Sequence, residues 1–208
     1  MSIPLDTYFI VTPGSEFISK SYAKLSGTDL FFYVTETNSL RVVNMVSTGG
    51  TATPGSTSFT LANGVKWVGT IAQAGIVHVY YAIASGQLFY IPYISFGGTV
   101  TPVSLTIGSA QTFSVIHTPQ SIPPAFLLLV DDGIHHNLFV ATDPMFEAMI
   151  ASLITYNNSF NPLIYVTRPT ISMHPADTSR ITVHTQQITV LTSVSQTGWY
   201  VVQVPGLS

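Results

Sequence analysis

The sequence predicts an all-β fold of propeller-like repeats, about 48 residues each, over its 208 residues. Three observations carry this. Residues 30–56 lie over residues 78–104 without a gap, with nine identities in 27 positions. The identities include Tyr33 with Tyr81, Leu40 with Leu88, and Gly49-Gly50-Thr51 with Gly97-Gly98-Thr99. Strand-like runs of Val, Ile, Thr, Tyr and Phe recur between Gly, Pro and Asn punctuation, and a period of 40–50 residues built from strands marks propeller blades. Only one stretch carries a helical period. Counting blades gives about four, or an incomplete ring completed by oligomerisation, with residues 1–208 as a single domain.

Taken in order, residues 6–11 (Asp-Thr-Tyr-Phe-Ile-Val) form a strand that stops at Thr12-Pro13-Gly14. Strands at 17–25, 30–35, 40–46 and 57–61 make the first blade, with Glu36-Thr37-Asn38-Ser39 as a hairpin loop. Strands at 65–71, 76–83, 87–94 and 100–107 make the second, although Pro92 sits uneasily inside a strand. A degenerate third copy has strands at 112–117, 126–130 and 137–141 around the loop 131–136. One short helix is expected near 144–156. Asp143-Pro144 supplies an N-cap and a first-turn proline, and Phe146, Met149, Ile150, Leu153 and Ile154 follow at helical spacing. A strand resumes at 163–167, and three strands at 180–185, 188–193 and 199–204 form a fourth blade, which an N-terminal strand such as 8–11 would complete.

Six basic and nine acidic residues, 7% of the chain, leave a net charge of −3 with a mean hydropathy of +0.42. Such a balance lacks the Lys/Arg stripe of an electrostatic nucleic-acid binder. It suits neutral ligands such as glycans, and subunit contacts in a homo-oligomer. With no cysteine, thiol catalysis, disulfides and Cys-based zinc sites are excluded. No apolar run is long enough for a membrane-spanning helix. The N-terminus lacks the pattern of a signal peptide, so the expected location is cytoplasmic, or released without a classical signal.

Candidate chemistry is sparse. Asp131, Asp132, His135 and His136 form the densest polar cluster. It reads first as a solvated hairpin tip and second as a metal or polar ligand site. No Gly-x-Ser-x-Gly elbow, zinc helix motif or phosphate loop is present, and no spaced carboxylate pair suggests acid–base work. Neither catalysis nor a cofactor is therefore expected. Aromatic rings on strands fit two roles, core packing and stacking on sugar faces. Tyr33 and Tyr81 are the expected core pair. Trp67, beside Lys66, and Trp199, after Thr197-Gly198, are the expected rim rings.

The run Gly27-Thr-Asp29-Leu-Phe-Phe-Tyr33-Val-Thr-Glu36-Thr-Asn-Ser-Leu-Arg41-Val-Val resembles a blade of the fungal fucose-specific lectins, which are β-propellers of similar period. His78-Val-Tyr-Tyr81 through Gly86-Gln-Leu88-Phe-Tyr and Ser195-Gln-Thr-Gly198-Trp199-Tyr are similar in outline. The resemblance implies sugar sites between blades that use an Arg, a Glu and a Trp. Phe89 and Ala84 stand at the second-copy positions of Arg41 and Glu36, so that set is not repeated. The reading is a non-enzymatic, lectin-like glycan binder. Trp67 and Trp199 would stack, Arg41 would hold hydroxyls, and Glu36, Asp131, Asp132 and His135 would exchange hydrogen bonds with them. The alternative is a structural protein of a virion: a phage tail, fibre or capsid component.

Overall fold

The structure, a computed structural model, describes residues 17–48, 51–157, 164–189 and 194–208, and every regular element among them is a β-strand. In the first sheet β1 (Ser19–Leu25), β2 (Thr28–Val34), β3 (Ser39–Thr48) and β4 (Thr51–Asn63) follow one another in chain order. The second sheet repeats this with β5 (Val65–Gln73), β6 (Ile76–Ile83), β7 (Gln87–Tyr93) and β8 (Val103–Ser109). The third holds β9 (Thr112–Thr118), β10 (Ala125–Asp131), β11 (His135–Ala141) and β12 (Met149–Asn157). The fourth is three-stranded, with β13 (Ile164–His174), β14 (Asp177–Thr189) and β15 (Val194–Gln203). Four antiparallel sheets of three or four strands, each an up-and-down meander, give a propeller-like all-β architecture.

The repeat is visible in the topology. Residues 30–56 and 78–104 both begin in the second strand of a sheet and run through the third, and Leu40 and Leu88 are both fully buried. The likeness extends to turns outside the aligned window. Ser26-Gly27 and Ala74-Gly75, 48 residues apart, both have positive φ at the two central positions. This is the type I′ geometry that matches strand twist, and it explains the glycine at the second position of each turn. Of the expected core tyrosines, Tyr81 is buried, while Tyr33 is half-buried and stacks on Phe31. Second strands are the most deeply packed. Leu30–Phe32 and Val34 of β2, Val77–Ala82 of β6 and all seven residues of β10 are buried. A short continuous apolar run is the signature of a strand covered on both faces, and 126–130 is such a run.

The chain divides into two compact units. One takes in the described residues up to Ala84 together with Tyr90–Val103, the other Ser85–Phe89 and Ser104–Ser208. In the first, Phe31, Val43 and Met45 form an aromatic-rich cluster with Phe17, Tyr22 and Tyr33. Within the second, Leu127, Leu129, Leu138 and Val140 pack with Ile171, Ile181 and Val183. Within each unit the first strands of two sheets are stitched by hydroxyls. The Val68 N–H donates to Ser19 Oγ at 3.1 Å, and the Ile171 N–H donates to Ser114 Oγ at 3.2 Å. Ser21 and Thr70 meet at 2.7 Å beside the first of these. A serine side chain thus satisfies a strand-edge amide that no ladder partner reaches.

Two expectations are corrected. No helix forms near 144–156. Residues 143–148 are a loop in which the Asp143 carboxylate accepts from the Met145, Glu147 and Ala148 amides, and β12 then pairs with β11. Asp143 therefore does gather the amides ahead of it, as a cap would, but Phe146 turns left-handed at φ 60° and breaks the helical path. The β-branched Ile150, Ile154 and Thr155 suit a strand equally well, and β11 offers a ladder edge. A bulge at Ile150 (Val140↔Ala151 is followed by Ala141↔Met149) lets Ile150, Ala151 and Leu153 all pack against the core. In the fourth sheet β14 runs unbroken through the expected strand at 180–185 to Thr189, and residues 190–193 of the strand expected at 188–193 lie outside the described residues. The expected strand at 6–11 and Gly49-Gly50 lie outside the described residues.

Candidate functional site

The fourth sheet separates an apolar face from a polar one by strict alternation. Register places Thr170, His184 and Trp199 on one rung and Ser172, Thr182 and Val201 on another two residues along. The residues between them, Ile171, Val183 and Tyr200, then Met173, Ile181 and Val202, point the other way into the core of the second unit. Trp199 is consequently held on the outer face, 69% exposed, directly across from His184. A groove of about 360 Å3 lies there, lined by Ser172, His174, Thr182, His184, Trp199 and Val201 among others. None of its lining residues carries a carboxylate, an ammonium or a guanidinium. At one end of the sheet Asp177 accepts from Ser179 Oγ and the Ser179 N–H and pairs with Arg180 at 3.1 Å. Those hydrogen bonds, first from the hydroxyl and then from the amide, hold its carboxyl below the usual range.

Behind Trp199, on the same strand, Tyr200 ties this sheet to the hairpin between β10 and β11. The Tyr200 hydroxyl lies 2.9 Å from Nδ1 of the buried His136 and 3.0 Å from Thr155 Oγ1, which donates to the His136 carbonyl at 3.1 Å. Burial is the chief reason that the Tyr200 phenol is pushed up to about 12; the Thr155 bond opposes it, and the nearby Tyr156 and Asp131 add to it. The phenol therefore stays protonated throughout the neutral range and keeps its donor. His136 and Tyr200 stack 18° from parallel, with Tyr156 tilted against both.

The hairpin uses its acids on itself. Asp131 is buried and accepts from the Gly133 N–H at 2.8 Å. Burial raises its carboxyl above the ordinary value, the amide bond opposes this, and Asp132 adds like charge. Asp132 accepts from the Ile134 and His135 amides at 2.8 and 2.7 Å, from Asn137 Nδ2 at 3.0 Å, and faces His135 Nδ1 at 3.3 Å. Partial burial pushes that carboxyl up, but the four hydrogen bonds together outweigh it and hold it low. Among the described residues no three His, Asp or Glu side chains gather into a metal-ligand group.

The remaining sequence candidates belong to the first unit. Glu36 is exposed in the β2–β3 turn. Arg41 lies on β3 between Tyr33 and Thr60, half-buried, and its Nε has no hydrogen-bond partner. Trp67 is half-buried on β5 beside a bulge, opposite Ala82. The structure therefore brings Asp131, Asp132 and His135 into one hairpin and gives Trp199 a different set of neighbours. Sequence reasoning missed Ser172, Thr182, His184 and Val201. Their signal was the alternation of Ile181-Thr182-Val183-His184 and of Trp199-Tyr200-Val201-Val202, which assigns faces once the strands are known.

No protein-family model matches the chain, and no curated protein matches it. Among solved structures, the endo-arabinase of Bacteroides thetaiotaomicron is similar with a TM-score of 0.59 at 10% identity, over 94% of this chain and 78% of that one. A mutant of AofleA from Arthrobotrys oligospora gives a TM-score of 0.46 at 11% identity, over 91% of this chain and 58% of that one. The endo-arabinase likeness is one of fold: an all-β, propeller-like arrangement.

Proposed function

We propose that the protein is a non-enzymatic carbohydrate-binding module that recognises neutral glycans on the outer face of β13–β15. The observation that carries this reading is Trp199, an indole 69% exposed on a flat strand face and flanked by hydroxyls and imidazoles. A tryptophan left in water on a sheet exposes apolar area that a core would bury, and a sugar's C–H face covers such a ring while its hydroxyls meet polar neighbours. A lining without lysine, arginine, aspartate or glutamate favours a neutral ligand. Glycoside hydrolysis uses two carboxylates flanking the bond, and the groove's lining supplies neither, which supports binding without turnover. Each site would be weak, and avidity would come from several copies in a homo-oligomer.

The test pairs Trp199→Ala with Trp67→Ala in glycan binding and thermal melting. Trp199→Ala should lose about 1–3 kcal/mol of binding, by analogy with bases stacked on aromatic rings, and melt as wild type does. Trp67→Ala, half-buried, should lower the melting temperature. Loss of stability in Trp199→Ala, with no glycan bound even by wild type, would remove the reading.

A second reading, a structural assembly protein, is favoured by Met149 and Ile154. They are 42% and 58% exposed on β12, the last strand of its sheet. Recovery of the protein in a large particle of fixed stoichiometry would favour it.

A further inference from the structure

We propose that the Trp199 groove selects sugars that carry an acetamido group, N-acetylhexosamines in preference to plain hexoses; this rests on the carbohydrate-binding reading of that groove. Two rungs of different chemistry lie side by side on the outer face. One sets His184 across from Trp199, and the other sets Ser172, Thr182 and Val201 in a row. They are two residues apart along the strands, about 6–7 Å. A pyranose ring stacked on the indole therefore directs one substituent onto the second rung. That rung offers two hydroxyls, each able to donate or accept, next to an isopropyl group that is 40% exposed.

An acetamido group matches this surface atom for atom. Its carbonyl accepts from a Ser172 or Thr182 hydroxyl, its N–H donates to the other, and its methyl lies on Val201. A plain hexose places a hydroxyl there instead. It would satisfy the hydroxyls but leave the Val201 methyls against a polar group, forfeiting the burial that distinguishes the two ligands. An acidic sugar finds no lysine or arginine in the lining, and Arg180 is paired with Asp177.

The experiment titrates the full chain with methyl N-acetylglucosaminide and with methyl glucoside, read by calorimetry and by tryptophan fluorescence. The acetamido sugar should bind roughly tenfold more tightly, the combined effect of one buried methyl and one further hydrogen bond. Val201→Thr, nearly equal in shape, should erase that preference by weakening the acetamido sugar relative to the glucoside. Equal affinity of wild type for both sugars would overturn the acetamido assignment and leave the groove reading intact. If neither sugar binds to wild type, both are overturned.

Discussion

Adjacent acids in the β10–β11 hairpin are driven in opposite directions, Asp131 upward by burial and Asp132 downward by its hydrogen bonds. The consequences for stability are opposite too. Asp132 titrates lower in the fold than in the unfolded chain, so its stabilisation is present above the unfolded carboxylate range and is lost as pH falls through the folded value. Asp131 titrates higher in the fold, so its contribution is fully present below the unfolded range and is lost as pH rises through the folded value. Asp132→Asn should therefore be less stable than wild type at neutral pH, with the gap narrowing in acid. Asp131→Asn should gain on wild type as pH rises from acid to neutral. Denaturant melts across pH for both variants check this, and parallel curves would show that the two carboxyls share one environment after all.

Strand edges within each unit are held by side chains as well as ladders. Ser114→Ala leaves the Ile171 amide without its partner, and burying an unsatisfied donor costs about 1–3 kcal/mol. Ser19→Ala does the same to Val68. Chemical denaturation should place both in that range, while Ser104→Ala, at an exposed position, should sit near zero. At the end of the chain, Gly206 turns with φ 80° over the Ile150 bulge, and a Cβ there would collide with Ile150 Cγ2. Gly206→Ala should therefore destabilise the second unit by about 1 kcal/mol or more, combining an unfavourable φ with the clash. Relief by Ile150→Ala, which removes Cγ2, measured against Ile150→Ala alone, would locate the cost at that contact, and a full penalty in the double variant would put it in the backbone alone.

For the molecule as a whole, little charge keeps copies apart: 15 ionisable Asp, Glu, Lys and Arg residues in 208. Ile154, Met149, Ile134, Ile122 and Trp199 all present apolar surface. Light scattering at micromolar concentration should return a multiple of 22.4 kDa. A strict monomer would set aside both the oligomer and the avidity expected of it.

Sequence alone determined most of the strands and the repeat, because those are written locally. Alternation, apolar runs such as 126–130 and Gly or Asn at left-handed turns specify a meander without reference to distant residues. The first two sheets, and β9–β11 of the third, were legible for that reason. The helix expected at 144–156 was not, since Phe146, Met149, Ile150, Leu153 and Ile154 satisfy a helical spacing and a bulged strand alike. The ladder edge of β11, absent from any local window, decided between them. The site divides in the same way. Trp199 was legible as an exposed ring from its composition and context, whereas its partners were not. Ser172, Thr182, His184 and Val201 come together only through the register of β13, β14 and β15, and His136 meets Tyr200 from 64 residues away. Tertiary pairing chose which face of each strand meets the core, and with it which side chains remained in water.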